Sequence, residues 1–282
     1  FYKKAADLGH AEGESNIGVM CQYGRGVAVD LEEATGYYRR AASKGHAAAM
    51  FNLGYMLLNG LGVPKDEASA VAWFTKSAEK DNPAALCNLG YMHEHGICFQ
   101  RDYHRAVEYY TTASAAGHAD AQCNLGLLHM GGIGIPKKLD EAFKEFEKAA
   151  AQGHAGGMTN LGSMYANGRG VQTSYRNAFR LFTQAAEKCH PGATANLAVL
   201  YETGRGVATS QKKAIALYRK AALLGDSVSQ YNLGYLYESG QLSRKAKENA
   251  AKGAEWYHKA AKNGHYEAAF SLALLYENGR GV

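Results

Sequence analysis

Histidine is the residue type in this sequence whose spacing first suggests chemistry. Six of the eleven histidines fall in one column of a repeating pattern. They are His10, His46, His118, His154, His190 and His265. A catalytic group seldom recurs once in every repeat, because a repeated position usually serves the fold that the repeats share. We therefore predict capping or turn histidines here, and no catalytic residue.

A second group has the residue types of a metal site. His93, His95 and Cys98 lie close together in the sequence, and His129 occupies the column of His93 one repeat later. Residues two apart on a helix do not share a face, so His93 and His95 cannot both point at one ion. We predict no metal site and no cofactor.

The five cysteines are Cys21, Cys87, Cys98, Cys123 and Cys189. Their odd number and irregular spacing do not fit a disulfide framework, and no Cys-x-x-Cys pair suggests a zinc knuckle. Cys87 and Cys123 share a column, where packing or groove-lining thiols are the first interpretation and reactive thiols the alternative. The sequence does not determine the location; reduced cysteines favour the cytoplasm.

Phosphate chemistry and two classes of partner are also disfavoured. The Gly-x-Gly-Val segments follow predicted helices rather than strands, so they lack the context of a nucleotide-binding loop. The net charge is +5, from 31 basic and 26 acidic residues that are scattered, which argues against a nucleic-acid partner. No apolar run approaches the roughly 18 residues that direct membrane insertion requires.

The glycines reveal what positions these residues. There are 33, although each costs about 1 kcal/mol inside a helix relative to alanine. Gly-His pairs, Asn-Leu-Gly triplets and Gly-Arg-Gly-Val segments recur in one phase, with a step of 36 residues. The triplets begin at Asn52, Asn88, Asn124, Asn160 and Asn232, and the last repeat is shifted by three residues through an insertion between about 240 and 251.

One unit, residues 45–80, shows the local structure. Apolar residues share a helical face over 47–59, and Gly60 should end that helix. Asp66 should cap a second helix that runs to about Lys80, as Asp30, Asp102, Ser174 and Ser210 should in other repeats; Asp30 with Glu33 fits a capping box. Mid-helix Gly54 suggests close approach to Ala70. The sequence predicts an all-α solenoid, a superhelix of stacked antiparallel helix pairs, A then B, with a 36-residue period.

This pattern, Ala-x-x-x-Gly-His-x-x-Ala-x-x-Asn-Leu-Gly-x-x-Tyr-x-x-Gly-x-Gly-Val, resembles the Sel-one-like repeats, relatives of tetratricopeptide repeats with a longer loop. We expect one solenoid over 1–282, a fragment of a longer array that could self-associate end to end, with eight A and seven complete B helices. It divides into a partial B helix (1–9), repeats at about 10–45, 46–81, 82–117, 118–153, 154–189, 190–225 and 226–264, and a partial repeat (265–282).

The resemblance implies that A helices line a concave groove. One A-helix column there is asparagine, at Asn52, Asn88, Asn124, Asn160, Asn196 and Asn232. An amide can donate to and accept from an extended peptide, but an asparagine ladder between neighbouring helices is the alternative. Neighbouring columns contribute the aromatic residues Phe51, Tyr55, Tyr91, Tyr231 and Tyr235. These side chains favour an apolar or amphipathic peptide or helix as the partner.

The predicted function is a non-catalytic scaffold or adaptor for protein–protein interaction. The resemblance offers two alternatives: a ubiquitin-ligase adaptor in endoplasmic-reticulum-associated degradation, and a cysteine-dependent hydrolase like the cysteine-rich relatives. Those relatives carry paired cysteines in each repeat. The matching positions here hold alanine or serine, as at Ala42, Ala78 and Ser114, which counts against the hydrolase.

Overall fold

The computed structural model describes residue 6 and the ranges 8–242 and 246–280, with the backbone alone over 246–248. These residues form fifteen helices and no strand. The A helices are α1 (Ala11–Tyr23), α3 (Ala47–Asn59), α5 (Pro83–His95), α7 (Ala119–Gly131), α9 (Ala155–Asn167), α11 (Pro191–Thr203), α13 (Ser227–Glu238) and α15 (Tyr266–Glu277). The B helices are α2 (Leu31–Ser43), α4 (Glu67–Ala78), α6 (Tyr103–Ala115), α8 (Leu139–Ala151), α10 (Tyr175–Glu187), α12 (Gln211–Leu223) and α14 (Ala246–Lys262). The predicted all-α repeat solenoid is confirmed, and the described residues form eight A and seven B helices.

The recurring histidines cap the A helices. Nδ1 of His46 accepts from the backbone N–H of Ala49 at 3.2 Å, and His118, His154, His190 and His265 make the same bond. Asn82 and Asp226 replace histidine in two repeats and cap through a side-chain oxygen. His10 makes no side-chain cap bond. The column thus satisfies one of the N–H groups that every helix leaves open at its start.

The B helices begin on the residues that the sequence indicates. Asp30, Asp66, Asp102, Ser174 and Ser210 each accept from the N–H three residues on. The capping box at Asp30 is only half formed. The Asp30 N–H donates to the Cys21 carbonyl, and the Glu33 carboxylate instead accepts from the Cys21 thiol. Cys21 of α1 therefore bonds to both groups, the Asp30 N–H and the Glu33 carboxylate, that would have to bond to each other in a complete capping box.

Glycines end most A helices in the left-handed conformation. Gly60 follows α3 with φ 65° and its N–H bonds to the Met56 carbonyl. The sequence predicts an altered loop where Cys98 replaces the second loop glycine. Cys98 nevertheless has φ 60°, close to the 66° of Gly62 one repeat earlier. The loop keeps its conformation, at the steric cost that a side chain brings to this region.

The chain forms two compact units, Phe1–Glu145 and Phe146–Val282. In the first unit, the core holds fully buried Leu53, Met56 and Phe74. In the second unit, Tyr218, Leu233 and Tyr257 are buried between successive helices. In both units, A and B helices that are consecutive in the chain pack against each other.

Each of four glycines in the middle of an A helix lies against an aromatic ring of the facing B helix. A methyl group at Gly54 would lie 2.9 Å from the Phe74 ring and 3.1 Å from the Ala70 carbonyl oxygen. The prediction identified the approach to Ala70 and missed the ring. Gly18 meets Tyr38, Gly90 meets Tyr110 and Gly234 meets Tyr257 in the same way. The glycine therefore provides room for a buried aromatic ring of the facing B helix.

Candidate functional site

The asparagine column lies on the A helices at the border between core and solvent. All six side chains, at Asn52, Asn88, Asn124, Asn160, Asn196 and Asn232, are half-buried. Each precedes a leucine that is buried in the core, as Asn88 precedes Leu89. The helical turn thus directs the leucine inward and holds the amide at the rim.

The amides of this column differ in their hydrogen bonding. Among the described residues, the side chains of Asn52, Asn88, Asn196 and Asn232 have no intramolecular hydrogen-bond partner. Asn124 bonds to the Tyr110 hydroxyl, and Asn160 has interactions of its own. Four of the six amides are therefore available to a ligand, and a continuous ladder between neighbouring helices is not formed at these four.

The residue three positions after each asparagine lies on the same helical face. Tyr55, Tyr91 and Tyr235 are exposed there, with 41%, 44% and 55% of their surface accessible, and Leu127 and Val199 continue the column. In each unit, we call these exposed side chains, together with the asparagines of that unit, its A-face. Val199 was not identified from the sequence, although its 36-residue step from the preceding repeat places it in this column. The A-face thus alternates amides with exposed, mostly apolar side chains.

Two aromatic residues that the sequence assigns to the groove are packed instead. Phe51 is half-buried, with its ring centroid 5.7 Å from that of Phe74. Tyr231 stacks on His265 at 4.7 Å and lies 5.5 Å from Tyr257. Their column faces the next helix of the array, where Cys87 is also buried. Phe51 packs within its own repeat, and Tyr231 contacts the next repeat through His265. Tyr55, Tyr91 and Tyr235 remain as the accessible aromatic residues of this set.

A small cavity opens beside the A-face in the second unit. It measures about 120 Å³ and lies where α9 and α11 run side by side. Asn196, Val199 and Ser163 line it, and Arg205 contributes a cation at its wall. The Asn196 amide thus lies next to a space that an apolar side chain could enter.

His93, His95 and Cys98, whose residue types could bind a metal, each contact a different residue. His93 is buried, stacks on Phe99 at 4.2 Å, and its Nδ1 has no hydrogen-bond partner. Burial, followed by the nearby Arg105 charge, lowers the pKa of His93. His95 instead stacks on Tyr91 at 4.1 Å, and Cys98 donates to Glu67. In the part of the chain that the structure describes, no three His, Cys, Asp or Glu side chains are grouped as metal ligands.

The thiols of the shared column are poorly suited to nucleophilic chemistry. Cys87 and Cys123 are both buried, and burial raises the pKa of Cys87 to about 12. A thiolate is the reactive form, and at neutral pH Cys87 almost never adopts it. All five cysteines are free thiols. The exposed ones are Cys98 and Cys189, and burial and then the Glu67 contact raise the pKa of Cys98.

The repeats of this chain match a known protein family. A family model for the Sel1 repeat matches residues 1–10, 11–46, 47–82, 83–118, 119–154, 155–188, 191–226, 227–265 and 267–282. Among curated proteins no relative matches this chain. None of the described helices is long and apolar enough to cross a bilayer.

Solved structures share the fold. A protective antigen present in uropathogenic Escherichia coli strains, with an SLR fold, is 31% identical with a TM-score of 0.72, over 99% of this chain and 59% of its own. This chain therefore spans less than two thirds of that antigen. A Sel1 repeat protein from Oxalobacter formigenes is 32% identical with a TM-score of 0.72, over 77% of this chain and 89% of its own.

A more distant structure shows how widely the architecture extends. Yeast Tom70 is 11% identical with a TM-score of 0.52, over 99% of this chain and 58% of its own, which is a likeness of fold alone. The matches of the repeat model, by contrast, run through almost the whole sequence and agree with the helix pairs of the structure. The chain belongs to the Sel1 repeat family.

Proposed function

We propose that this chain is a non-catalytic scaffold that binds an extended or helical segment of a partner protein on the A-face of its first unit. Sel1 repeats form a helical framework of the kind that serves protein–protein interaction. The binding surface itself is our assignment. The observation that carries it is the pairing, on α5, of the unbonded Asn88 amide with the exposed ring of Tyr91.

The chemistry of these two groups complements a peptide. The Asn88 amide offers one acceptor and two donor hydrogens, which can satisfy a peptide group that leaves water. Tyr91 adds a flat apolar surface with few rotatable bonds, and its stacking on His95 fixes the ring before a partner arrives. Aromatic side chains of this kind often provide the largest share of binding energy at an interface.

The electrostatics of the A-face support an apolar or amphipathic partner. The A-face residues carry no formal charge. In the first unit, an acidic or basic segment would lose hydration against these residues without gaining an ion pair from them. In the second unit, Arg205 lies beside Asn196 and Val199. The partner segment that we propose therefore places apolar side chains on Tyr55 or Tyr91 and backbone groups on the asparagines.

A displayed library of random peptides, selected on the immobilised chain, provides ligands for the test. The dissociation constant of a selected peptide is then measured by calorimetry for the wild type, Asn88→Ala and Tyr91→Ala. We expect at least tenfold weaker binding for Tyr91→Ala and a smaller loss for Asn88→Ala. Tyr266→Ala is the matched control, because Tyr266 is 87% exposed and lies outside the A-face.

Two results would reject the proposal. One is a library that yields no binder. The other is a selected peptide whose affinity falls equally for Tyr91→Ala and Tyr266→Ala, because that would show that any exposed tyrosine contributes. Thermal melts of the variants check folding, which these exposed positions should leave intact.

A further inference from the structure

One stretch of the second unit has an ordinary share of basic residues but few acidic ones. Residues 155–225 carry nine lysines and arginines and two acidic residues, a net charge of +7. The remaining residues carry 22 basic and 24 acidic side chains, a net charge of −2. One of the two acids in the stretch, Glu202, accepts a hydrogen bond from Tyr218 at 2.7 Å. The excess of positive charge is thus local and largely uncompensated.

A cavity lies within this stretch, on α10. It measures about 630 Å³, and its lining includes Arg176, Phe179, Arg180 and Thr183. The two arginines are four residues apart, so their stems lie on one face of the helix, about 6 Å apart along its axis. Both are exposed, and neither has an ion pair or hydrogen bond among the described residues. The cavity therefore presents two free guanidinium groups beside an aromatic ring.

Ring contacts join this cavity to the next B helix. The Phe179 ring meets Tyr201 of α11 edge-on, with centroids 5.7 Å apart. Lys213 of α12 places its ammonium 5.0 Å from the centre of the same Tyr201 ring. Lys212 occupies in α12 the position that Arg176 occupies in α10, and it is also exposed. We call Arg176, Arg180, Lys212 and Lys213 the basic face.

The fold does not require cations at these positions. The other repeats place Glu32, Ala68, His104 and Asp140 where Arg176 lies, and Gly36, Ala72, Glu108 and Lys144 where Arg180 lies. The B helices of those repeats also form with these residues. The charge of the basic face therefore calls for an explanation other than helix packing.

We propose that the basic face is a second docking surface, separate from the A-face, that binds an acidic segment of a protein with an apolar side chain beside its carboxylates. Guanidinium groups pair with carboxylates through two parallel hydrogen bonds, and Arg176 and Arg180 are both free to do so. Phe179 directly precedes Arg180 and lines the same cavity, where its accessible part offers the apolar contact.

RNA fits the basic face less well. Single-stranded nucleic acid binds by stacking its bases on exposed aromatic faces. The one ring in the cavity, Phe179, is half-buried and already packed against Tyr201. The basic face thus offers cations without a stacking surface.

Fluorescence anisotropy tests the proposal on the full chain. The probe is a labelled ten-residue peptide of eight glutamates and two leucines, in buffer of physiological ionic strength. We expect Arg176→Gln with Arg180→Gln to weaken binding at least tenfold. The matched control, Arg25→Gln with Arg39→Gln, removes the same charge from exposed positions in the first unit and should change the affinity less than twofold.

Two further probes complete the test. A peptide with glutamine in place of glutamate should bind at least tenfold more weakly, and a ten-nucleotide oligouridine should bind more weakly than the acidic peptide. Equal losses in both double variants, no binding of the acidic peptide, equal binding of the glutamine peptide, or tighter binding of oligouridine would each overturn the proposal. The variant Tyr91→Ala should leave this binding unchanged, so the two surfaces are tested independently.

Discussion

The Tyr110 hydroxyl donates a 2.7 Å hydrogen bond to the Glu94 carboxylate, while the Tyr110 ring covers Gly90 one turn earlier on the same A helix. The other tyrosines of this B-helix column find a polar partner in the same place. Tyr38 donates to Gln22, Tyr218 to Glu202 and Tyr257 to Glu238. Where the ring is Phe74 or Phe182, the A-helix position holds apolar Leu58 or Ala166. In these repeats, a tyrosine hydroxyl on the B helix is thus always matched by a hydrogen-bond acceptor on the A helix, and a phenylalanine by an apolar residue.

This pairing predicts a compensated exchange. Tyr110→Phe should lower the free energy of unfolding by about 1–3 kcal/mol, because the half-buried Glu94 carboxylate loses its donor. Adding Glu94→Leu should recover most of that loss, since it recreates the Phe74–Leu58 combination. Urea unfolding of the two single variants and the double variant measures this coupling. A double variant whose loss equals the sum of the single losses would refute it.

Alanine substitutions at two helical glycines, one beneath a ring and one in open space, should have opposite effects on stability. Gly90→Ala should destabilise the chain by about 1–3 kcal/mol, because the new methyl group would lie 2.8 Å from the Tyr110 ring. Gly36→Ala, with nothing within 4 Å, should instead stabilise it by up to about 1 kcal/mol through helix propensity. Thermal or urea unfolding of both variants checks the contrast. Stabilisation by Gly90→Ala would show that the ring contact does not restrict this position.

The His190 cap predicts sensitivity to acid. Nδ1 of His190 accepts a backbone N–H at 3.2 Å, which only the unprotonated nitrogen can do. Burial, and then the charge of His154, lower the pKa of His190 below its ordinary value of 6.5. The unfolded chain therefore takes up the proton first as the pH falls. The contribution of this cap to stability should be complete above about pH 7. It should be lost as the pH falls from 6.5 through the lowered pKa of His190, and it should level off below that.

Asparagine provides a cap that does not titrate, as Asn82 does naturally. His190→Asn should therefore reduce the decrease in melting temperature between pH 7 and pH 5 relative to the wild type. Melting curves at several pH values measure the difference. An unchanged pH dependence in the variant would mean that the His190 cap does not contribute to the acid response.

The thiols predict a two-phase titration. With a thiol reagent at neutral pH, exposed Cys189 and Cys98 should react first, and buried Cys21, Cys87 and Cys123 only on unfolding. Cys98 should react more slowly than Cys189 because its thiol donates to Glu67 and its pKa is raised. Cys98→Ser and Cys189→Ser assign the two fast phases. Rapid reaction at Cys87 in the native chain would revive the thiol-hydrolase interpretation.

Local rules made the architecture predictable. The start of a helix at Asp66 or Ser174 and its end at Gly60 depend on groups within a few residues. The same local signals recur in each repeat, so the sequence is enough to predict them. The ring over Gly54 was not predicted, because the register of α4 against α3 decides which side chain arrives there.

The candidate site was only partly predictable for the same reason. Tyr55 and Phe51 lie four residues apart and belong to adjacent columns. Only the packing of Phe51 on Phe74 shows that Phe51 is engaged while Tyr55 stays exposed. Sequence columns identify the A helix that carries a residue. The stacking of the next helix determines whether that residue remains available to a partner.

Site-specific photo-crosslinking locates a bound partner segment on the chain and so decides whether it lies on the A-face. A photoreactive phenylalanine analogue replaces Tyr91 in one preparation and Tyr266 in another, and each is irradiated with the selected peptide. Mass spectrometry then locates the adducts. We predict a peptide adduct at position 91 and none at position 266. An adduct at position 266 alone, or equal adducts at both, would contradict the assignment of the A-face as the binding surface.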